Sequence, residues 1–305
     1  FTLDQLRTFI AAVDEGSFSA AGRRLGRAQS AVSQTLAALE DQLGVTLFDR
    51  RGRLPVLTEQ GRALILEARV AAGGVDLFKA RAKSLAGGLE AELWVVVDVM
   101  LPIGVLTEAV GAFQARFPTT PLRLYVEALG AVLKPVLDGR CAFGVMGSLP
   151  IAPPQVTLER LLGVPMMMVA APGHPLAAHP GPIPSDALAQ HVQLVLTDRS
   201  DLSAGREFGV MSAKTWRIAD LGAKHAFLRA GLGWGSMPLN VVEADIATGA
   251  LVALRFEDGP GPGGFVMPLS AVYPSDSPPG PAGRWLIDRL KLEALGPSGG
   301  GAREG

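Results

Sequence analysis

Apolar residues recur at helical spacing from the start of the chain. Leu3, Leu6, Phe9, Ile10 and Val13 share one face and predict a first helix. Gly16 stops it, and Ser17 is placed to cap a second helix, FSAAGRRL, which Gly26 ends. A third helix is expected from about Gln29 to Leu43, burying Val32, Leu36, Leu39 and Leu43, with Gly44 as its stop. Two short helices joined by a tight glycine-containing turn form a helix-turn-helix unit. VTLFDRRGRLPVLT then reads as a strand, a basic glycine turn and a return strand, which is the pattern of a wing.

A long helix is expected next, with Thr58 as N-cap and Glu59 in its first turn. Its apolar or small positions are Leu57, Gly61, Leu64, Ala68, Ala71, Val75, Phe78, Ala82 and Leu85, which alternate in steps of four and three as a coiled-coil seam does. Gly73–Gly74 is expected to interrupt or bend it. A seam implies a partner copy; the alternative is a helix inside a monomeric core, and without a partner much apolar surface would stay wet.

After Gly87–Gly88 the period changes. LWVVV reads as a buried parallel strand, Pro102 to Phe117 as a helix, LRLYVE as a strand, AVLKPVLDG as a short helix and CAFGVMG as another strand. VPMMMVAA, HVQLVL, KTWRI, a helix near Gly222 to Ala230, WGSMP and LNVVEADIA continue the alternation. LSAVYP is a late strand and AGRWLIDRLKLEAL a final helix. Alternating strands and helices imply a parallel sheet.

Composition supports this division. Residues 1–92 hold one proline, Pro55, of the 23 in the chain, so the first segment is helix-permissive and the rest loop-rich. A chain of 305 residues with 48% hydrophobic and 19% charged residues suits two or three domains with a substantial core. The single cysteine, Cys141, lies in an apolar run, reads as packing rather than redox chemistry, and fits a reducing cytoplasm. Met166, Met167 and Met168 read as a buried strand, in a run too short for the roughly 20 residues of a membrane span. The opening FTLDQLRTF has no basic start before an apolar stretch, so no secretory signal is expected.

Net charge is −1, which announces no nucleic-acid partner. Locally, Arg23, Arg24 and Arg27 lie in an acid-free stretch from Ala20 to Leu39, and Arg50, Arg51 and Arg53 in another from Arg50 to Thr58. Such clusters either face phosphates or are solvated surface.

LDQLRTF, GSFSAAGRRLGRAQSAVSQTLAALEDQLGVTLFDR and LTEQGRALI closely resemble the N-terminal region of LysR-type transcriptional regulators, without gaps over residues 2–66. AFQARFP, LDGRCAFGVMG, PGHPLA and RAGLGWGSMP extend the resemblance in order along the chain. It implies an N-terminal all-α winged helix-turn-helix (1–57), a linker or dimerisation helix (58–88) and a C-terminal α/β two-lobed domain like a periplasmic binding protein (89–295). Lobe I would span about 89–162 and 268–295, lobe II about 163–267, and 296–305 would be a disordered tail.

By position, the resemblance puts Gln29 and Ser33 at base edges of double-stranded promoter DNA, with Ser30 and Gln34 beside them. Arg23, Arg24 and Arg27 would reach phosphates, and Arg51 and Arg53 on the wing would enter the minor groove. Arg50 matches a family position that is often structural. Two departures weaken the transfer: Ala28 stands where a Ser or Thr cap is frequent, and Gln34 where arginine is frequent.

For the sensing cleft, the resemblance implies Asp98, Val99 and Met100 after the first strand, Glu127 and Leu129 after the second, Gly147 and Ser148 after the third, and Thr197, Arg199 and Ser200 in the second lobe. Arg199 would pair with a carboxylate, and Asp98 and Glu127 would suit an amine or hydroxyl; interlobe salt bridges are the alternative. No cofactor is expected beyond a small-molecule effector that the sequence does not identify. Partners would be promoter DNA and the chain itself as homodimer or homotetramer, with RNA polymerase as a further candidate and no membrane.

An enzyme is the first rival. The four histidines lack metal spacing, and no G-x-S-x-G, P-loop or G-x-G-x-x-G follows a strand. A transport-type solute-binding protein leaves residues 1–92 unexplained, and a DNA organiser without an effector leaves the two-lobed domain unexplained.

Overall fold

The computed structural model describes residues 1–52, 54–147, 149, 153–202, 204, 206–258 and 264–294. Arg53, Ser148 and the tail 296–305 lie outside the described residues. The chain divides into two compact units, Phe1–Gly87 and Gly88–Gly305. Among the described residues no helix is long and apolar enough to cross a membrane.

In the first unit, α1 (Leu3–Glu15), α2 (Phe18–Leu25) and α3 (Gln29–Leu43) begin and end where the polar signals put them. Thr2 and Gln5 form a reciprocal capping box, and the Ser17 hydroxyl accepts the Ala20 N–H at 3.1 Å. Gly16, Gly26 and Gly44 end the helices in the left-handed region, where a side chain would be strained. The rings of Phe9 and Phe18 meet Phe48 edge to face at 5.7 and 5.1 Å, and Val32, Leu36 and Leu39 complete the core. Leu43, expected inside, is exposed because α3 leaves the core after Leu39. The wing is a minimal hairpin of β1 (Phe48–Asp49) and β2 (Val56–Leu57). The Glu40 carboxylate holds it to α3 by accepting the Leu47 and Phe48 N–H groups at 2.7 and 3.0 Å.

The long helix α4 (Glu59–Ala86) runs unbroken through Gly73–Gly74, against the expected interruption. Glycine lowers helix propensity but does not forbid the helical conformation, and neither glycine has a positive φ. The expected seam is also divided. Gly61, Ala68 and Ala72 are buried against the unit's own core, and a Cβ on Gly61 would stand 2.2 Å from the Leu47 carbonyl oxygen. The Arg7–Asp76 and Arg69–Asp14 ion pairs fasten α4 to α1. Leu66 (67% exposed), Val70 (76%) and Leu77 lie on the opposite side of the helix, and Phe78 (72%) and Leu85 are exposed farther along.

The second unit contains β3 (Leu93–Asp98), α5 (Ile103–Arg116), β4 (Leu122–Glu127), α6 (Gly130–Leu137), β5 (Phe143–Met146) and β6 (Val156–Ala170). It continues with α7 (Ser185–Ala189), β7 (Gln193–Leu196), β8 (Thr215–Ile218), α8 (Leu221–Arg229), β9 (Trp234–Pro238), α9 (Leu239–Thr248), β10 (Val252–Ala253), β11 (Phe265–Pro274) and α10 (Pro281–Ala294). The strand order is β4-β3-β5-β11-β6-β9-β7-β8, with β10 against β6. β3 pairs parallel with β4 and β5, and β7 parallel with β8 and β9, giving two α/β lobes.

The strands β6 and β11 are antiparallel partners that pass through both lobes, with a register shift between Leu269 and Ser270. Both extend beyond the expected VPMMMVAA and LSAVYP. The first half of β6 carries Glu159 and Arg160, which break the apolar run. Glu159 is bound by Arg284 of α10 at 2.6 and 2.9 Å and by Lys291, and these cations hold its pKa down at about 2. The late strand and last helix rejoin the first lobe: β11 pairs with β5, and Trp285 of α10 packs on Phe113 and Phe117. Cys141 is buried beside Val132 and Val136, and burial pushes its thiol pKa up, as for a packing residue.

Candidate DNA interface and effector cleft

The helix-turn-helix owes its tight turn to Gly22. A Cβ there would stand 2.7 Å from the Arg27 carbonyl oxygen, and the Arg27 N–H donates to the Gly22 carbonyl at 2.8 Å. The turn delivers Gln29 and Ser30 as exposed residues in the first turn of α3, with Gln34 exposed one turn on. Ala28 is the N-cap and supplies no side-chain hydrogen bond, so first-turn amides stay open to an acceptor from outside. Ser33 is half-buried, and its hydroxyl accepts from Arg50 at 3.3 Å. Arg50 also binds Glu40 at 2.6 Å and lies over the Phe18 ring at 5.4 Å, which is a structural placement.

The basic stretches are less bare in space than in sequence. Arg27 makes a two-pronged bond to Asp4 of α1 at 2.8 Å for each prong, and Arg24 lies 3.2 Å from both Asp14 and Glu15. Arg51 on the wing grips Asp49 and holds its carboxyl at about 2. Arg23 instead donates to the neutral Ser19 hydroxyl at 3.1 Å. The acid-free windows therefore misjudged the local charge: α1 and β1 bring carboxylates alongside three of the arginines. A phosphate must displace an existing partner at each of them, whereas among the described residues Arg23 has no carboxylate to give up.

In the second unit the named residues fall into three adjoining hollows. Met100, Leu129 and Gly147 line a cavity of about 390 Å³ between the lobes. Leu129, Thr197 and Ser200 line a second of about 580 Å³. Glu127, Arg199 and Ser200 line a third of about 550 Å³. Leu129 joins the first two and Ser200 the last two. Asp98 and Val99 line none of these. The Asp98 side chain is fully buried and accepts the Met100 and Gly147 N–H groups at 3.0 and 3.3 Å, so it ties two strand ends together instead of presenting a charge. Arg199 lies 3.6 Å from Glu127 and donates to the Ala219 carbonyl at 3.2 Å, which is the salt-bridge alternative for that pair.

Two residues at this site went unnamed in the sequence reading. Asp198 of the second lobe accepts the Gly130 and Ala131 N–H groups at 2.9 and 3.1 Å, capping the N-terminus of α6 across the cleft. Its sequence signal is the Asp-x-Ser turn, in which it also accepts the Ser200 N–H at 2.8 Å. Leu129, just before α6, has φ of 53°, the one positive value at a non-glycine among the described residues. Lys224 of α8 is buried at 2% exposure on the wall of the 390 Å³ cavity. Its signal is helical spacing, since Leu221, Lys224 and Leu228 share the inward face.

A winged helix-turn-helix with open polar side chains on its third helix, and a two-lobed domain with a mainly apolar interlobe cavity, define a DNA-binding regulator that senses a small molecule. The family model for the LysR substrate binding domain matches residues 86–294, and that for the bacterial regulatory helix-turn-helix protein, lysR family, matches residues 3–62. The probable HTH-type transcriptional regulator YhaJ of Escherichia coli (strain K12) is 30% identical over 257 residues, covering 82% of this chain and 84% of that protein. The HTH-type transcriptional regulator AceR of Acinetobacter baumannii is 29% identical over 304 residues, covering 97% of this chain and 98% of that protein. A mutant OxyR of Corynebacterium glutamicum shares the fold at a TM-score of 0.55 and 23% identity, over 96% of this chain and 93% of that one. The chain belongs to the LysR family of transcriptional regulators. It is a DNA-binding regulator with an effector-binding domain, and its relatives are regulators rather than enzymes.

Proposed function

We propose that this regulator reads promoter DNA through the first turns of α3, with Gln29 and Ser30 at base edges and Gln34 beside them. The supporting observation is the exposed, uncapped start of α3 behind a turn that Gly22 makes tight. Ser33 contributes less than its position suggests, because Arg50 engages its hydroxyl. Arg23 is the first phosphate contact, Arg24, Arg27 and Arg51 follow once they exchange carboxylates for phosphates, and Arg53 is the further candidate. The assembly is a homodimer or a tetramer of two such dimers, joined along the apolar side of α4, and it acts in the cytoplasm on dyad-symmetric sites. RNA polymerase is the partner through which such a bound assembly would act on transcription. The effector occupies the interlobe cavity around Met100, Leu129 and Gly147.

The reading of α3 is tested by Gln29→Ala on a panel of duplexes carrying single-base changes. A loss of about 1–3 kcal/mol of discrimination at one base position is expected. An unchanged profile across the panel would remove Gln29 from the interface.

A further inference from the structure

Lys224 is a buried charge in the regulatory domain. Its Nζ donates to the Ser236 carbonyl of β9 at 2.7 Å, and among the described residues no carboxylate lies within ion-pair distance of it. An ammonium carries three protons, and this bond uses one of them, beside a cavity that Lys224 and Ser236 both line. Burial alone pushes its pKa down to about 8. Burying an unpaired cation is expensive, and such a group in a cleft is a candidate functional site.

The cavity around it suits one kind of guest. Met100, Leu129, Leu194, Phe208 and Met267 give it apolar walls drawn from both lobes and the connecting strand. Glu207 shares the wall, but Arg217 binds its carboxylate, so the pair adds no net charge. One uncompensated positive charge and an open, mainly apolar cavity of about 390 Å³ remain, toward the small end of ligand sites. Arg199, the residue first expected to meet a carboxylate, is more than half exposed and already beside Glu127.

We propose that Lys224 anchors the effector and that the effector is a small monocarboxylate with an apolar body, its head against Nζ and its body against Met100, Leu129 and Phe208. This rests on the interlobe cavity being the effector site. The domain then senses the charge of its ligand through a helix residue deep in the second lobe, while the first lobe supplies the apolar lid.

The test uses the full chain and thermal unfolding with benzoate, phenylacetate and isovalerate, each beside its neutral amide, and benzylamine as the cationic control. Stabilisation by at least one carboxylate, absent with the matching amide, is expected. Lys224→Met and Lys224→Gln should each bind that carboxylate at least tenfold more weakly while still unfolding cooperatively. Gln keeps a donor for the Ser236 carbonyl, so loss in both variants is loss of the charge. Equal response to acid and amide, response to benzylamine alone, wild-type affinity in both variants, or no response to any carboxylate would overturn the assignment. Wild-type DNA binding measured on the same samples separates the two ideas. Selective DNA binding that the bound carboxylate leaves unchanged sinks the effector reading of the cavity, whereas a carboxylate response that survives both substitutions sinks only Lys224.

Discussion

Asp198 and Lys224 show how differently two buried-side charges can be held at one cleft. Asp198 is surrounded by backbone N–H donors, whereas among the described residues Lys224 Nζ has a single carbonyl. The difference gives Lys224 a pH signature. Its folded pKa of about 8 lies below the ordinary 10.5, so between those values the unfolded chain binds more protons and stability rises with pH. Below about 8 both states are protonated and the full cost of the buried cation stands. Lys224→Met should therefore raise stability at pH 7 by about 1–3 kcal/mol, less the lost bond to Ser236. The gain should shrink toward pH 10, with Glu207 on the same wall and its partner Arg217 common to both proteins. Urea unfolding at the two pH values measures it, and an equal gain at both would contradict a strained cation. Neither residue was named from sequence, because a carboxylate beside a strand and a lysine on a helix are ordinary until the opposing lobe is in place.

Elements were legible where their signals are local. Thr2, Ser17 and the three left-handed glycines mark helix ends by chemistry within a few residues. The start of β6 was not legible, because Glu159 and Arg160 look like loop until Arg284 and Lys291 arrive from residues more than a hundred positions away. Likewise the seam of α4 could be read as a period but not as a split between a face packed on α1 and an apolar face left outside. That split makes a prediction. Val70→Lys or Phe78→Lys, on exposed positions, should lower the sedimentation mass toward the monomer while changing thermal stability little. A retained oligomer would move the dimer contact elsewhere. At α6, Leu129 offers no side-chain cap, and Asp198 supplies the missing acceptor from the other lobe. Asp198→Ala should destabilise the regulatory domain by about 1–2 kcal/mol in chemical denaturation, with Asp198→Asn intermediate. No change would show that α6 does not depend on this contact.

For the molecule as a whole, the near-zero net charge conceals how its DNA affinity must arise. Arginines that would serve phosphates are already paired to Asp4, Asp14, Glu15 and Asp49, so binding is an exchange of partners rather than a simple attraction. On the proposed reading such a head would hold random DNA weakly and lean on base contacts at α3 for affinity. Sequence windows found the arginines but not Asp4, Asp14 and Glu15 as partners, since α1 meets α2 and the turn only in the folded unit, while Asp49 stands just before the second window. The most direct measurement is anisotropy of the full chain on a duplex from upstream of its own coding region, beside a scrambled duplex of equal composition, over a salt series. A preference for the native duplex on the order of a thousandfold, with affinity falling linearly in log–log form with salt, is the predicted result. Equal and weak binding to both duplexes at every salt concentration would contradict it.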